Sequence, residues 1–83
     1  MSSEFNVLLF AGARQIAGTP TVRLSAESPV TVEILQKQLL QTVPALQSIS
    51  HSLLWAVNGQ HASASTEIPD RAEVACFPPV SGG

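Results

Sequence analysis

Short alternations of apolar and polar residues predict β-strands in several parts of the chain. The first predicted strand, residues 5–10, is apolar on one side throughout. Its other side becomes apolar at Leu8 and Phe10. Because both sides are apolar near its end, we expect both faces of this strand to be covered.

Four further strands are predicted, at residues 21–24, 53–57, 60–64 and 73–77. In the last of them, alternation places Val74 and Cys76 on one face and Ala75 and Phe77 on the other. All five predicted strands fall within the usual length of strands in globular proteins.

The connecting segments carry turn-forming residues. Gly12 and residues 17–20 predict a turn after the first strand, and residues 25–29 predict a loop. Asn58-Gly59 is a strong hairpin signal, because both positions of such a turn need a positive φ. Residues 68–71 fit a type I turn with proline at its second position.

One amphipathic helix is predicted to begin after Thr31 and to end near Thr42. Thr31 is a good N-cap, Glu33 suits the positive end of the helix dipole, and Pro44 disfavours helix at the residue before it. Its apolar residues recur at helical spacing and predict one buried stripe, made of Val32, Leu35, Leu39 and Val43. The helix therefore has to lie across one face of the sheet, which gives an α+β fold.

Composition and charge exclude several classes of protein. Charged residues make up 12% of the 83 residues, and four basic residues with a net charge of −2 are too few for the phosphate contacts of a nucleic-acid binder. No apolar run is long enough for a signal peptide or a membrane span, so we expect a cytoplasmic protein with no membrane partner. A single cysteine forbids an internal disulfide.

The last six residues form a segment of unusual composition. Pro78 and Pro79 remove two backbone donors, so we expect the sheet to end at Phe77 and a stiff, extended arm to follow. The side chains then become smaller, in the order Val80, Ser81, Gly82, Gly83. An arm of this shape fits a narrow channel and presents the α-carboxylate of Gly83 at its tip. We therefore divide the chain into a domain, residues 1–77, and a tail, residues 78–83.

Residues 77–83 resemble the C-terminal signature of the small subunits of molybdopterin synthase, which are ubiquitin-like sulfur carriers. The resemblance extends through the chain, at residues 8–11, Arg14, Gly18, residues 31–33, Leu35, and residues 56–58 and 73–75. The sequence departs from the family pattern at residues 70–73, at Cys76-Phe77, where an aromatic pair is common, and at His61, where an apolar residue is usual.

The resemblance implies a ubiquitin-like β-grasp, in which a mixed sheet packs on one main helix and the tail extends from it. It also implies that the Gly83 carboxylate is adenylated with ATP by an E1-like enzyme and then converted to a thiocarboxylate with sulfur from a donor protein. The large synthase subunit would bind the tail, residues 78–83, in a two-plus-two heterotetramer. The carrier would itself bind no cofactor.

If the first and last strands are neighbours, as in a β-grasp, then Leu8, Phe10, Ala75 and Phe77 project from the sheet face away from the helix. We expect these residues, with His61, to form the interface with the large subunit. The alternative that the apolar residues fill the domain's own core stays open.

Other candidate chemistry is weaker. Cys76 is expected to be a buried structural thiol, and His51 and His61 have no third ligand nearby in sequence, so no metal site is predicted. Three other functions stay open: a thiamine-pathway sulfur carrier, a ubiquitin-like modifier conjugated through Gly83, and an interaction module with an inert tail.

Overall fold

The computed structural model describes residues 2–79, and these form one five-stranded sheet with two α-helices. The elements in chain order are β1 (Ser2–Leu9), α1 (Ala11–Ala17), β2 (Thr21–Glu27), α2 (Val32–Thr42), a 3₁₀ segment (Pro44–Ser52), β3 (Leu54–Val57), β4 (Gln60–Ala62) and β5 (Val74–Phe77).

The strands are arranged in the order β2-β1-β5-β3-β4, so the last strand lies at the centre of the sheet. β1 and β5 run parallel, with Val7 opposite Val74, and the other neighbouring pairs are antiparallel. The sheet is therefore mixed, and the predicted α+β class with adjacent first and last strands is confirmed.

Helix α2 begins and ends where the sequence predicted. The Thr31 hydroxyl accepts a hydrogen bond from the Ile34 amide at 3.4 Å, which caps the first turn. The predicted stripe packs on the sheet with Val32, Leu35 and Leu39 fully buried, whereas Val43 at the helix end is only partly buried. Every strand except β4 adds buried side chains to the core: Phe5, Val7, Leu9, Val22, Leu24, Ala26, Trp55, Val57, Val74 and Cys76. Helix α1, the 3₁₀ segment and the connecting segments supply the other buried apolar residues, Ala13, Val30, Leu46, Leu53 and Ile68.

The turn predicted at Gly12 is wrong, because residues 11–17 form helix α1. Phe10 is the extended N-cap, and Gly18 ends the helix in the left-handed conformation, with its amide donating to the Arg14 carbonyl at 2.9 Å. Gly12 does not prevent this helix, because the neighbouring alanines favour helical structure and Ala13 is buried against the core.

Other predicted boundaries also need correction, beginning with β1, which spans Ser2–Leu9 rather than residues 5–10. β2 continues to Glu27 through the segment predicted as a loop, because β1 begins at Ser2 and provides a partner for the added residues. β4 stops at Ala62, where a Ser–Thr hydrogen-bonded turn begins. The turn predicted at residues 68–71 lies one residue later: the Ala72 amide donates to the Pro69 carbonyl at 3.1 Å. Within residues 2–79, neither α-helix has the length and hydropathy needed to cross a bilayer.

Candidate partner-binding face and tail base

The sheet face opposite α2, called the outer face below, carries a row of small and apolar side chains across four strands. Strand register places Leu8 beside Ala75, Ala75 beside Ala56, and Ala56 beside His61. Alternate residues in a strand point to opposite faces, so this row is the counterpart of the buried residues on the α2 side. Leu8, Ala56 and Ala75 are partly exposed, and His61 is exposed.

A second row lies nearer to the tail and is more strongly apolar. Phe77 pairs with Leu54 of β3, and the Phe10 amide donates to the Cys76 carbonyl at 3.2 Å, which extends the β1–β5 ladder by one residue. Phe10 is 49% exposed and Leu54 is 38% exposed. Large apolar side chains with this exposure, grouped on one face, are typical of a surface that binds another protein.

Leu54 and Ala56 also lie on this face, although the sequence did not predict them there. The third strand alternates between the two faces, and Trp55 and Val57 are its buried positions. This alternation is not visible in the sequence, because residues 53–57 are all apolar. A continuous apolar run does not indicate which residues face the core. Only the pairing of β3 with β5 shows that Leu54 extends the outer face.

His61 contacts Phe77 on the outer face. Their ring centroids are 6.0 Å apart, and the rings meet edge to face at 67°. This is a favourable arrangement for aromatic pairs. The structure thus brings together the five residues proposed from the sequence as partner contacts: Leu8, Phe10, His61, Ala75 and Phe77.

The tail starts at the edge of this face. Pro78 is half-buried and lies beside α1: a Cβ built on Gly12 would be 3.7 Å from its Cγ. Pro79 is exposed and, like Pro78, has no regular secondary structure, in line with the predicted end of the sheet at Phe77. The remaining tail positions of the prediction, Val80, Ser81, Gly82 and Gly83, lie outside the described residues.

The described residues offer little chemistry of their own. Cys76 is fully buried on the α2 side, and burial raises the pKa of its thiol to about 12. At neutral pH this group is protonated and a poor nucleophile. His51 and His61 are both exposed, and residues 2–79 contain no cluster of three or more His, Cys, Asp or Glu suited to a metal ion.

A mixed sheet with parallel first and last strands, crossed on one face by the main helix, defines a ubiquitin-like β-grasp. SAMP1 from Haloferax volcanii, a small archaeal modifier protein, superposes with a TM-score of 0.87 at 30% sequence identity, over 98% of this chain and 100% of that one. The fold predicted from the family resemblance is therefore confirmed.

A model of the ThiS family matches residues 7–83, and the chain belongs to this family. It is 39% identical over 79 residues to the molybdopterin synthase sulfur carrier subunit of Escherichia coli, covering 93% of this chain and 96% of that protein. It is 34% identical over 82 residues to the subunit of the same name from Arabidopsis thaliana, covering 99% of this chain and 85% of that protein.

Proposed function

We propose that this chain is the sulfur carrier subunit of a molybdopterin synthase, acting in molybdenum cofactor biosynthesis. The observation that carries the proposal is the family match, which runs through the tail to Gly83, together with near full-length similarity to curated carrier subunits. The β-grasp domain delivers the tail, and the tip of the tail carries the sulfur.

The reacting group in this proposal is the α-carboxylate of Gly83. A carboxylate is a poor electrophile, so an E1-like enzyme first transfers AMP to it from ATP and releases pyrophosphate. Sulfur from a donor protein then attacks the acyl carbon and displaces AMP. The product is a thiocarboxylate whose sulfur is ionised near neutral pH and is a good nucleophile.

The sulfur acceptor is cyclic pyranopterin monophosphate (precursor Z), held in the active site of the large subunit. The thiocarboxylate sulfur of each of two carriers bonds to this acceptor and becomes part of the dithiolene. Water then cleaves the bond between that sulfur and the Gly83 acyl carbon, so each Gly83 returns to a carboxylate. Since Cys76 is buried and protonated, no described side chain of the carrier competes with the tail for this role.

Binding energy comes from the outer face rather than from the tip. Burying one large apolar side chain stabilises a complex by about 1.5–3 kcal/mol, and the outer face offers Phe10, Phe77 and Leu54. The position of Pro78 next to this face supports a single continuous contact: the sheet docks on the large subunit while residues 78–83 enter its active site. Two carriers would bind two large subunits in a heterotetramer.

A second candidate function is that of a ubiquitin-like modifier joined through Gly83 to lysines of other proteins. The specific observation in its favour is the likeness to SAMP1, a protein named as a modifier. Both functions activate the same carboxylate, so the fold does not separate them. Immunoblots of cell extracts do: a modifier gives high-mass conjugates that depend on Gly83, and a carrier gives the free chain only.

The proposal is tested by reconstitution with a molybdopterin synthase large subunit, an adenylating enzyme, ATP, a sulfur source and precursor Z. Deletion of Gly82-Gly83, or addition of one residue after Gly83, should abolish molybdopterin formation. The same variants should keep their complex with the large subunit, because the outer face is unchanged. Full product formation by either variant would overturn the proposal.

A further inference from the structure

A concavity of about 430 Å³ lies between the last turn of α1 and the start of β2. The residues that line it are Ala11, Arg14, Gln15, Gly18, Thr19 and Pro20. It borders the outer face, because Pro20 lies beside Leu9 and Thr21 lies opposite Leu8 in the β1–β2 ladder. The proposed sulfur chemistry uses none of the lining residues.

Arg14 is the charged residue of this concavity. Its side chain is exposed, and it makes no ion pair within residues 2–79. The other lining residues are neutral, so the concavity is positively charged in a chain whose net charge is −2. The planar guanidinium of an arginine matches a carboxylate in two parallel hydrogen bonds. A carboxylate is therefore the group that fits this concavity best.

A second concavity provides a comparison at the other end of the outer face. It also measures about 430 Å³ and also contains an arginine, Arg71, but Glu4 and Glu73 line it as well. Glu4 lies near the start of β1, whereas Arg14 follows its end. Because acidic groups outnumber the basic one there, a further carboxylate is repelled. Arg71 is thus a matched control for Arg14.

The Arg14 concavity is continuous with the surface inferred to bind the large subunit. The Arg14 amide donates to the carbonyl of Phe10 at 3.4 Å, and the Phe10 side chain is 49% exposed. Gly12 of the same helix lies against Pro78, at the base of the tail. Protein interfaces have an apolar centre and a polar rim, and arginine is enriched in them. Arg14 has the position of such a rim residue.

We propose that this concavity receives an aspartate or glutamate side chain of the large subunit, which forms an ion pair with Arg14. This inference rests on the proposed function, because it extends the same docking surface and specifies the chemistry of the partner there. The apolar contacts of the outer face are non-directional. An ion pair at their rim adds specificity for one partner and fixes the register of docking.

A purely structural role for Arg14 makes different predictions. Arg14 lies in the last turn of α1, where a cation stabilises a helix through its dipole. In that role alone, Arg14→Ala lowers the urea midpoint and leaves binding by the folded protein unchanged. The ion pair instead predicts weaker binding by a variant that circular dichroism shows to be folded.

The first test is calorimetric titration of the full chain with the large subunit. Arg14→Ala should raise the Kd by about threefold to tenfold, and Arg14→Glu by more than about tenfold, because charge reversal places like charges together. Arg71→Ala, the matched control, should change the Kd by less than about twofold. Added salt should weaken binding of the native chain more than binding of Arg14→Ala.

The second test detects the partner carboxylate directly, by crosslinking with a carbodiimide, which joins a carboxylate to an amine. The native chain has one lysine, Lys37, and it lies on α2. Arg14→Lys keeps the charge and places an amine at the concavity. This variant should form a covalent complex through an aspartate or glutamate of the large subunit, which mass spectrometry of peptides locates. The native chain and Arg71→Lys should give no such product.

Product formation separates this inference from the proposed function. With saturating large subunit, Arg14→Ala should form molybdopterin at the native rate, because its tail is unchanged. Native affinity in both Arg14→Ala and Arg14→Glu, an equal loss in Arg71→Ala, or no crosslink from Arg14→Lys overturns the inference and leaves sulfur transfer intact. A crosslink formed only with the adenylating enzyme also overturns it. A native chain that neither binds the large subunit nor supports product formation overturns the proposed function itself.

Discussion

The two faces of the sheet are built from the same strands and both carry large apolar side chains, yet within residues 2–79 the main helix covers only one of them. On the α2 side, Leu9 and Cys76 are fully buried beneath the helix. On the outer face, their sequence neighbours Phe10 and Phe77 remain exposed or half-buried. A domain of 83 residues has one main helix and can cover only one face with it.

The α2 side of the sheet stabilises the fold, whereas the outer face is available for binding a partner. The free energy of folding comes mainly from side chains on the α2 side, which lose all contact with water. The outer face keeps its apolar surface available, and the tail leaves the sheet beside it. Substitution of a residue on the α2 side should therefore lower the stability of the domain. Substitution of its neighbour on the outer face should instead weaken partner binding.

The largest effect is expected for Leu9→Ala on the α2 side. Leu9 is 1% exposed, and truncating such a leucine removes its burial and leaves a cavity, so the free energy of unfolding should fall by about 2–5 kcal/mol. Leu8→Ala, one residue away on the outer face, should cost about 1 kcal/mol or less. Urea denaturation measures both, and equal losses would contradict the distinction between the two faces.

The next effect concerns binding of the large subunit. Phe10→Ala should raise the Kd of the complex by about tenfold or more, since exposed aromatic residues often dominate an interface. Ile34→Ala is the matched control, because Ile34 is also a partly exposed apolar residue but lies on α2. Calorimetric titration measures both. Similar losses for the two variants would argue against the outer face as the docking surface.

Cys76 predicts a pH dependence of stability. Its pKa is raised by burial from 9.0 to about 12 in the folded chain, so the unfolded chain ionises first. The stabilising contribution is complete below about pH 9 and is lost as pH rises toward 12, at about 1.4 kcal/mol per pH unit once the unfolded thiol is ionised. Denaturation at pH 8 and pH 10 should show this loss in the native chain and not in Cys76→Ala.

The smallest effect is expected for His61→Ala. The edge-to-face contact with Phe77 orients one aromatic side chain of the outer face, and pairs of this kind contribute about 0.5–1.5 kcal/mol. Because His61 is exposed, we expect the lower end of this range, a change of about threefold or less in the Kd for the large subunit. A loss as large as that of Phe10→Ala would make His61 a main binding residue.

Much of the fold follows from local sequence signals. Thr31 and Pro44 fix the limits of α2, and Asn58-Gly59 forms the predicted turn, with φ of 51° and 80°. These signals act within a few residues, so they are visible before any tertiary structure is known.

The parts that were missed depend on distant partners. Residues 25–27 become strand because β1 supplies a ladder for them, and Leu54 joins the outer face because β5 lies beside β3. Helix α1 was missed because Gly12 suggested a turn, although the segment packs on the core through Ala13. The candidate face itself depended on one long-range assumption, the adjacency of the first and last strands, which the structure confirms.

The most direct test of the central claim is the mass of the C-terminal peptide after incubation with an adenylating enzyme, ATP and a sulfur donor. The peptide ending in Gly83 should become heavier by the difference between one sulfur and one oxygen atom, and adding the large subunit with precursor Z should reverse the change. A sulfur atom found on Cys76, or a Gly83 peptide whose mass never changes, would contradict the account.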